Sequence, residues 1–377
     1  MNQFVYLDNN ATTKIDTNIR NKIQPYLDLQ FGNPSSIYQH GVRIKEEIID
    51  ARESCANLLN CDYKNIIFTS GGSESNCSVF HSAIEQYPNK KKIITTKVEH
   101  TSILEYCNLL QKKGYKIVYL DVDENCQIGI DNLLSEVDDE TCLVSIQLAN
   151  NEVGAILLNE EIVEKIKALK KKFDFVFHVD AVQGLGKLKI DVDKIKADFI
   201  SFSGHKIHCP KGIGLLYIKE PEKYTPLIAG HQEFGLRGGT ENVIGIVAIG
   251  ESCKDILEHF EEKHSTLVRL HKYLESKLHE IAGLTINCEK VERIPNTTSI
   301  TFDNIDGNQL LFKLNQRGIC VSTGSACNSE SSELSHVLTS MKIKNPQNTI
   351  RVSIDENTSN SQIEYFIKNL KEILKGE

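Results

Sequence analysis

No run in this sequence approaches the ~18 uninterrupted apolar residues that a transmembrane helix needs. The first residues, Met1 to Asp8, have neither the basic start nor the apolar stretch of a secretory signal. These absences direct the expectation to the cytoplasm, with no membrane as partner. The 11 cysteines include no C-x-x-C pair, which removes zinc-ribbon and thioredoxin-type motifs. Most of them read as reduced core residues of an intracellular chain. Long basic blocks are absent too. The net charge is -8, and Lys90-Lys91-Lys92 and Lys170-Lys171-Lys172 are short runs beside expected strands, so nucleic acid is not expected as a direct ligand. Repeats and low-complexity segments are also missing.

What is present is ordinary globular composition, 40% hydrophobic and 25% charged over 377 residues, a length that points to two domains. Short apolar runs read as strands at Val5–Leu7, Asn65–Thr69, Lys92–Thr96 (continuing to Glu99-His100), Lys116–Leu120, Thr141–Ile146, Phe173–Asp180, Lys196–Ile200 and Gly212–Tyr217. Helical patterns such as Val42–Leu59 and Glu161–Lys172 separate them. The alternation predicts an α/β fold with a mostly parallel sheet covered by helices on both faces. A long amphipathic helix is expected over Cys253–Ile281. Beyond it, strands at Thr298–Phe302, Ile319–Val321 and Thr349–Ile354 and helices at Asn308–Asn315, around His336 and at Asn360–Leu374 describe a smaller α+β domain.

Polar residues collect where the strands stop: His100, Asn150, Asp180, then Ser203-Gly204-His205-Lys206. In open α/β sheets ligands bind at the carboxyl ends of strands. Lys206 is either a surface lysine or an amine made nucleophilic by desolvation. The carboxylate of Asp180, with Gln183 three residues on, changes that balance. A carboxylate for a pyridinium nitrogen and a lysine for a Schiff base are the minimal equipment for pyridoxal phosphate (PLP). Ser70-Gly71-Gly72-Ser73 opens a helix, either as an ordinary cap or as an anion site built from backbone N–H groups. Cys327, in Thr323-Gly324-Ser325-Ala326-Cys327-Asn328, lies among small polar residues; it is an incidental loop cysteine or a reactive thiol. Arg351 is a surface ion-pair partner or a carboxylate clamp.

With Asp180-Ala181-Val182-Gln183, Ser203-Gly204-His205-Lys206, Arg237-Gly238-Gly239-Thr240-Glu241-Asn242 and Gly324-Ser325-Ala326-Cys327 in order, the chain resembles the cysteine desulfurases of the NifS/IscS type from Tyr6 to Arg351. The resemblance implies a fold-type I PLP-dependent transferase that acts as a homodimer. Its large PLP-binding domain would span 16–255, and its small domain 1–15 and 256–377, carrying the cysteine loop. By position, Lys206 looks like the Schiff-base lysine, Asp180 the partner of the pyridine nitrogen, Gln183 that of the phenolic oxygen, and His100 the ring-stacking and proton-moving residue. Gly72, Ser73, Ser203 and His205 would hold the phosphate, and Thr240 would reach the phosphate in the other subunit. Asn150 (or Asn151) and Arg351 would bind the substrate carboxylate.

Cys327 would then take sulfur from L-cysteine as a persulfide, leaving L-alanine, and pass it to an acceptor protein. An iron–sulfur scaffold, a tRNA thiolation enzyme and a DNA phosphorothioation system all fit, and the chain's end at Glu377, without a longer docking tail, leaves that choice open. The sequence departs from the family at His208-Cys209, where relatives carry an aromatic and a glycine, and at Asn328, where they carry Thr or Ser. A metal at His205, His208 and Cys209 is not expected, because residues on one turn face apart and no fourth ligand is evident. The competing readings are a selenocysteine lyase or cysteine sulfinate desulfinase on the same fold, a thiol hydrolase pairing Cys327 with His100 or His205, and a non-catalytic scaffold.

Overall fold

The computed structural model describes residues 4–323 and 334–376. Among these, the strands in chain order are β1 (Val5–Tyr6), β2 (Ile66–Thr69), β3 (Lys92–Thr96), β4 (Lys116–Leu120), β5 (Thr141–Gln147), β6 (Val176–Asp180), β7 (Phe199–Ser203), β8 (Gly214–Ile218), β9 (Leu284–Ile286), β10 (Thr297–Phe302), β11 (Ile319–Cys320) and β12 (Thr349–Ser353). The central sheet runs β2-β8-β7-β6-β5-β3-β4. Neighbours from β7 through β4 are parallel, and β8 pairs antiparallel with both β2 and β7. The fold is therefore α/β with a mostly parallel sheet, as the alternation of strands and helices predicted. All seven strands except β4 are buried along their whole length, which is why most of them read as apolar runs, although the stretch Phe173–Asp180 leading into β6 alternates.

A second sheet, β12-β10-β9, is antiparallel, and β1 pairs parallel with β11. Its core gathers Val5 and Leu7 with residues between Leu267 and Ile373. The helix Val243–Leu278 crosses between the two cores. Its residues Ile246–Ile256 pack into the large one, and Leu267–Leu278 into the second. That helix starts ten residues before the expected Cys253. Gly245 through Gly250 are buried on every side, so this turn carries no amphipathic signal. Asn242 marks the true start, its Oδ1 accepting the Gly245 N–H at 3.1 Å.

The strand expected to continue from Lys92 to His100 stops at Thr96 instead. There Thr96 Oγ1 donates to Glu99 Oε1 at 2.7 Å and closes a turn, and His100 caps the helix Thr101–Lys112 through Nδ1, which accepts the Ser102 N–H at 3.1 Å.

One buried ion pair ties the outer layer to this sheet. Arg52, on the helix Gln39–Leu59, grips Glu233 with two bonds of 2.6 and 2.8 Å and also donates to the Ile66 carbonyl. Glu233 in turn accepts the Phe68 N–H at 2.8 Å. Removing one member of such a pair strands the other charge in the core. Glu233→Ala is therefore expected to lower unfolding stability by about 3–5 kcal/mol, read as a fall in the urea midpoint; an unchanged midpoint would show the pair to be energetically idle.

Candidate active site

The carboxyl ends of β3, β5, β6 and β7 open onto a cavity of about 360 Å³, within the range of small-molecule sites. Its wall includes Gly72, Ser73, Asn76, His100, Asp180, Gln183, Ser203, His205, Lys206 and Arg351. Of the residues singled out at separate strand ends, His100, Asp180, Ser203, His205 and Lys206 thus meet in one place, because parallel strands deliver their carboxyl ends to the same edge.

Lys206 sits in the short 3-10 turn Gly204–Lys206 that follows β7. Its Nζ donates to the carbonyls of Asn10 and Ala11, the latter at 2.8 Å. Asp180, the last residue of β6, is fixed at both oxygens: Oδ2 accepts from Asn76 Nδ2 at 2.8 Å and Oδ1 from the Val182 N–H at 3.0 Å. A carboxylate held this way cannot swing out of the cavity.

His100 has its tautomer set by the cap. Because Nδ1 accepts the Ser102 N–H, the neutral ring carries its proton on Nε2. Burial pushes its pKa down, with Lys206 and His336 adding to the effect and Asp180 opposing it. Burial, and then the charge of Lys206, pulls His205 down to about 4. Both rings are neutral at pH 7.

At the opposite wall the helix Gly72–Gln86 begins without any side-chain cap. Gly71 precedes it at φ 154, and a Cβ on Gly72 would stand 2.7 Å from Val182 Cγ2. Glycine here lets the first turn pack against the residues that follow Asp180, and its N–H groups stay available to an anion. Ser73, Ser203 and His205 surround that turn at the cavity.

Arg351 on β12 is 2% exposed. Its guanidinium donates to Asp8 Oδ1 at 2.6 Å and to the Asn151 carbonyl at 3.0 Å, while Nε has no partner among the described residues. The expected partner, Asn150, is placed differently. Its side chain is buried and committed to its own turn: Nδ2 donates to Val98 O, and Oδ1 accepts the N–H groups of Glu152 and Val153. Asn151 lines the cavity in its stead. Thr240 is exposed and does not line the cavity of its own chain. Cys327 lies outside the described residues.

The departures at His208-Cys209 point away from one another. His208 bonds the Lys14 carbonyl and faces Glu356 at 3.5 Å, whereas the Cys209 thiol is buried towards Ala248 O.

The segment Asp8–Thr13, where no site residue was expected, forms one wall of the site. Asn10 donates to Thr297 Oγ1 and Asn151 O, Asn9 to Ser353 O, and Thr13 to His205 O. Asn76 and Gln147 were likewise missed. The available signal was the density of Asp, Asn and Thr in six residues, more hydrogen-bonding capacity than a solvated turn uses.

The cavity's donor set fits PLP: an amine, a facing carboxylate anchored by two donors, a neutral imidazole, an amide and an uncapped helix start for the phosphate.

Comparison with known proteins agrees with this chemistry. The family model of class-V aminotransferases matches residues 5–366. A cysteine desulfurase from a Nostoc species is 42% identical, the match covering 98% of this chain and 93% of that relative. Among solved structures, a NifS-like protein superposes with a TM-score of 0.92 at 35% identity, covering all of both chains. The protein SspA, solved in complex with cysteine, superposes at 0.82 with 30% identity, covering 94% of this chain and 100% of that one.

Proposed function

The chain belongs to the class-V aminotransferase family, and from that premise we propose that it is a PLP-dependent cysteine desulfurase, converting L-cysteine to L-alanine and handing sulfur to an acceptor protein. The observation that carries this reading is the convergence of Lys206, Asp180, Gln183, His100 and Arg351 on one cavity.

Lys206 is the amine that would join the cofactor's aldehyde carbon. Asp180 would keep the ring nitrogen protonated, Gln183 would donate to the phenolic oxygen, and His100 would lie on the ring. The first turn of the helix Gly72–Gln86, with Ser73, Ser203 and His205, would hold the phosphate. When bound, PLP supplies the electron sink that stabilises negative charge at the substrate Cα.

The remaining roles belong to side chains of this chain. Arg351 has a donor to spare in Nε and would bind the substrate carboxylate, drawing on Asp8 as its fixed counter-charge. Lys206 Nζ, released as a free amine, would take the Cα proton. His100, neutral and protonated on Nε2, can give a proton to a departing group and recover it. Cys327, as thiolate, would attack the substrate sulfur, so that an S–S bond forms as the Cβ–S bond breaks.

The acceptor is an iron–sulfur scaffold or a thiolation enzyme. A second copy of the chain is expected as partner, supported by the exposed apolar residues Leu27, Leu29, Phe31, Ile37 and Tyr38, which follow one another along a single stretch, and by the exposed Thr240. Among the described residues no helix is long and apolar enough to cross a membrane.

The test is direct. Purified protein supplied with PLP should turn yellow, release alanine from L-cysteine and, with a thiol reductant added to reduce the persulfide, sulfide, and after borohydride reduction carry the cofactor on Lys206. A colourless protein, or a label on another lysine, overturns the reading.

A further inference from the structure

Lys187 is not among the residues expected at the cofactor, yet it is buried four positions after Gln183. Among the described residues, the one hydrogen-bond partner of its Nζ is the amide oxygen of Gln183, Oε1, at 2.7 Å. No carboxylate forms an ion pair with it there. The turn that carries it is held by Lys187 N–H to Gly184 O at 3.0 Å, and His264, on the helix Val243–Leu278, bonds the Lys187 carbonyl at 3.0 Å. The amine is therefore aimed rather than drifting.

Burying an ammonium against a single amide oxygen is costly, and an apolar side chain of equal volume would be neutral or stabilising at such a position. A packing role does not account for the lysine. What it does locally is remove an ambiguity. A glutamine amide has a donor end and an acceptor end of nearly the same shape and can sit either way round. An ammonium donates only, so it accepts just one orientation: Oε1 towards Lys187, Nε2 away from it. The far side agrees, because Nε2 donates to the Asn10 carbonyl at 3.3 Å. Its second hydrogen has no partner among the described residues, and Gln183 lines the cavity.

We propose that Lys187 is a positioning residue that locks the Gln183 amide so that Nε2 is the atom presented to the phenolic oxygen of the cofactor. This inference rests on the PLP reading above. It places a buried lysine behind the Gln183 amide as a fixed orienting group, outside the lining of the cavity. The charged groups around it are Lys206 and Arg351, which oppose its proton, and Glu356, which favours it; burial, with the two cations, brings its pKa down to about 7. A neutral amine also has a lone pair, so the lock is strongest on the acid side of that value.

The experiment compares four PLP-loaded proteins: wild type, Lys187→Met, Gln183→Ala and the double variant. The pH midpoint of the visible absorbance band and the thermal midpoint are measured for each. A donor on the phenolic oxygen disfavours a proton on the neighbouring nitrogen joined to Lys206. Losing the lock should therefore raise the absorbance midpoint by about one pH unit, the scale of one hydrogen bond or nearby charge. Gln183→Ala should raise it at least as far. In the Gln183→Ala background the Met substitution should add nothing, as required of a residue acting through its neighbour. The thermal midpoint of Lys187→Met should stay level or rise.

An unshifted Lys187→Met midpoint beside a normal wild-type band overturns this inference alone. Fully additive shifts overturn it as well, because Lys187 would then act as a direct charge. A wild-type protein with no visible band sinks the PLP reading, and this inference with it.

Discussion

Cys327→Ala is expected to cut sulfide release from L-cysteine by roughly 10³-fold or more, as loss of a nucleophile does elsewhere, while the protein stays yellow and binds cysteine. The substrate sulfur leaves Cβ readily only if something accepts it, and a thiolate is the acceptor this chain supplies. Both described ends of the segment that carries Cys327 are anchored beside the cavity. On one side Ser322 exchanges backbone hydrogen bonds with Arg351, at 2.6 and 3.1 Å. On the other, Ser335 donates to the buried Glu152 at 2.6 Å, and His336 Nε2 meets the Glu99 carbonyl at 3.0 Å, next to His100. These anchors bring the chain back to the two walls that carry Arg351 and His100. Mass spectrometry of the wild type after one turnover should find one extra sulfur on the peptide containing Cys327 and none in the variant. If the variant still released sulfide at the wild-type rate, the selenocysteine lyase or sulfinate desulfinase reading would take over, since neither reaction needs a thiol in that segment. The thiol-hydrolase reading meets the same experiment differently: it requires no colour at all.

The parts of this enzyme that were legible in the sequence share a physical cause. β5, β6 and β7 are buried along their whole length, so they stand out as apolar runs, and the polar residues that end them stand out by contrast. Asp180 and Lys206 were findable for that reason before any geometry was known. Partners brought in from far along the chain were not. Arg351 and Asp8 are 343 residues apart, and the Asn10 carbonyl that receives Lys206 is 196 residues away from it; no local period encodes such meetings. Asn150 and Asn151 differ by a single step in a turn, and the choice between them depended on which amide the backbone of Glu152 and Val153 consumed. The first turns of the helix Val243–Leu278 escaped because complete burial erases the amphipathic stripe by which helices are recognised. Lys187 was overlooked for a plainer reason: lysine next to glycine usually means a solvated turn.

Lys206→Ala should be the most damaging single change, lowering alanine formation by at least about 10⁴-fold, the upper end of what a positioned acid–base group contributes, with the covalent anchor lost in addition. The two losses can be told apart. The helix N-terminus, Ser73, Ser203, His205 and the fixed carboxylate of Asp180 remain in the variant, so PLP should still bind, more weakly and without the band of the lysine-linked form. Borohydride should then fix no cofactor to the protein. With cysteine added, the variant should accumulate a cysteine–cofactor adduct whose Cα proton stays in place, because the amine that would remove it is gone. A small exogenous amine should restore part of the turnover by entering the space left beside Asn10 and Ala11. Lys206→Arg should not substitute for the lysine, since a guanidinium stays protonated and cannot act as base or nucleophile. If Lys206→Ala turned cysteine over within about tenfold of the wild-type rate, a barrier difference of only ~1.4 kcal/mol, the proton would have to leave through another group. The base would then have to be sought elsewhere, since His100 carries its proton on Nε2 and accepts the Ser102 N–H at Nδ1, and Lys206 would be reduced to an anchor.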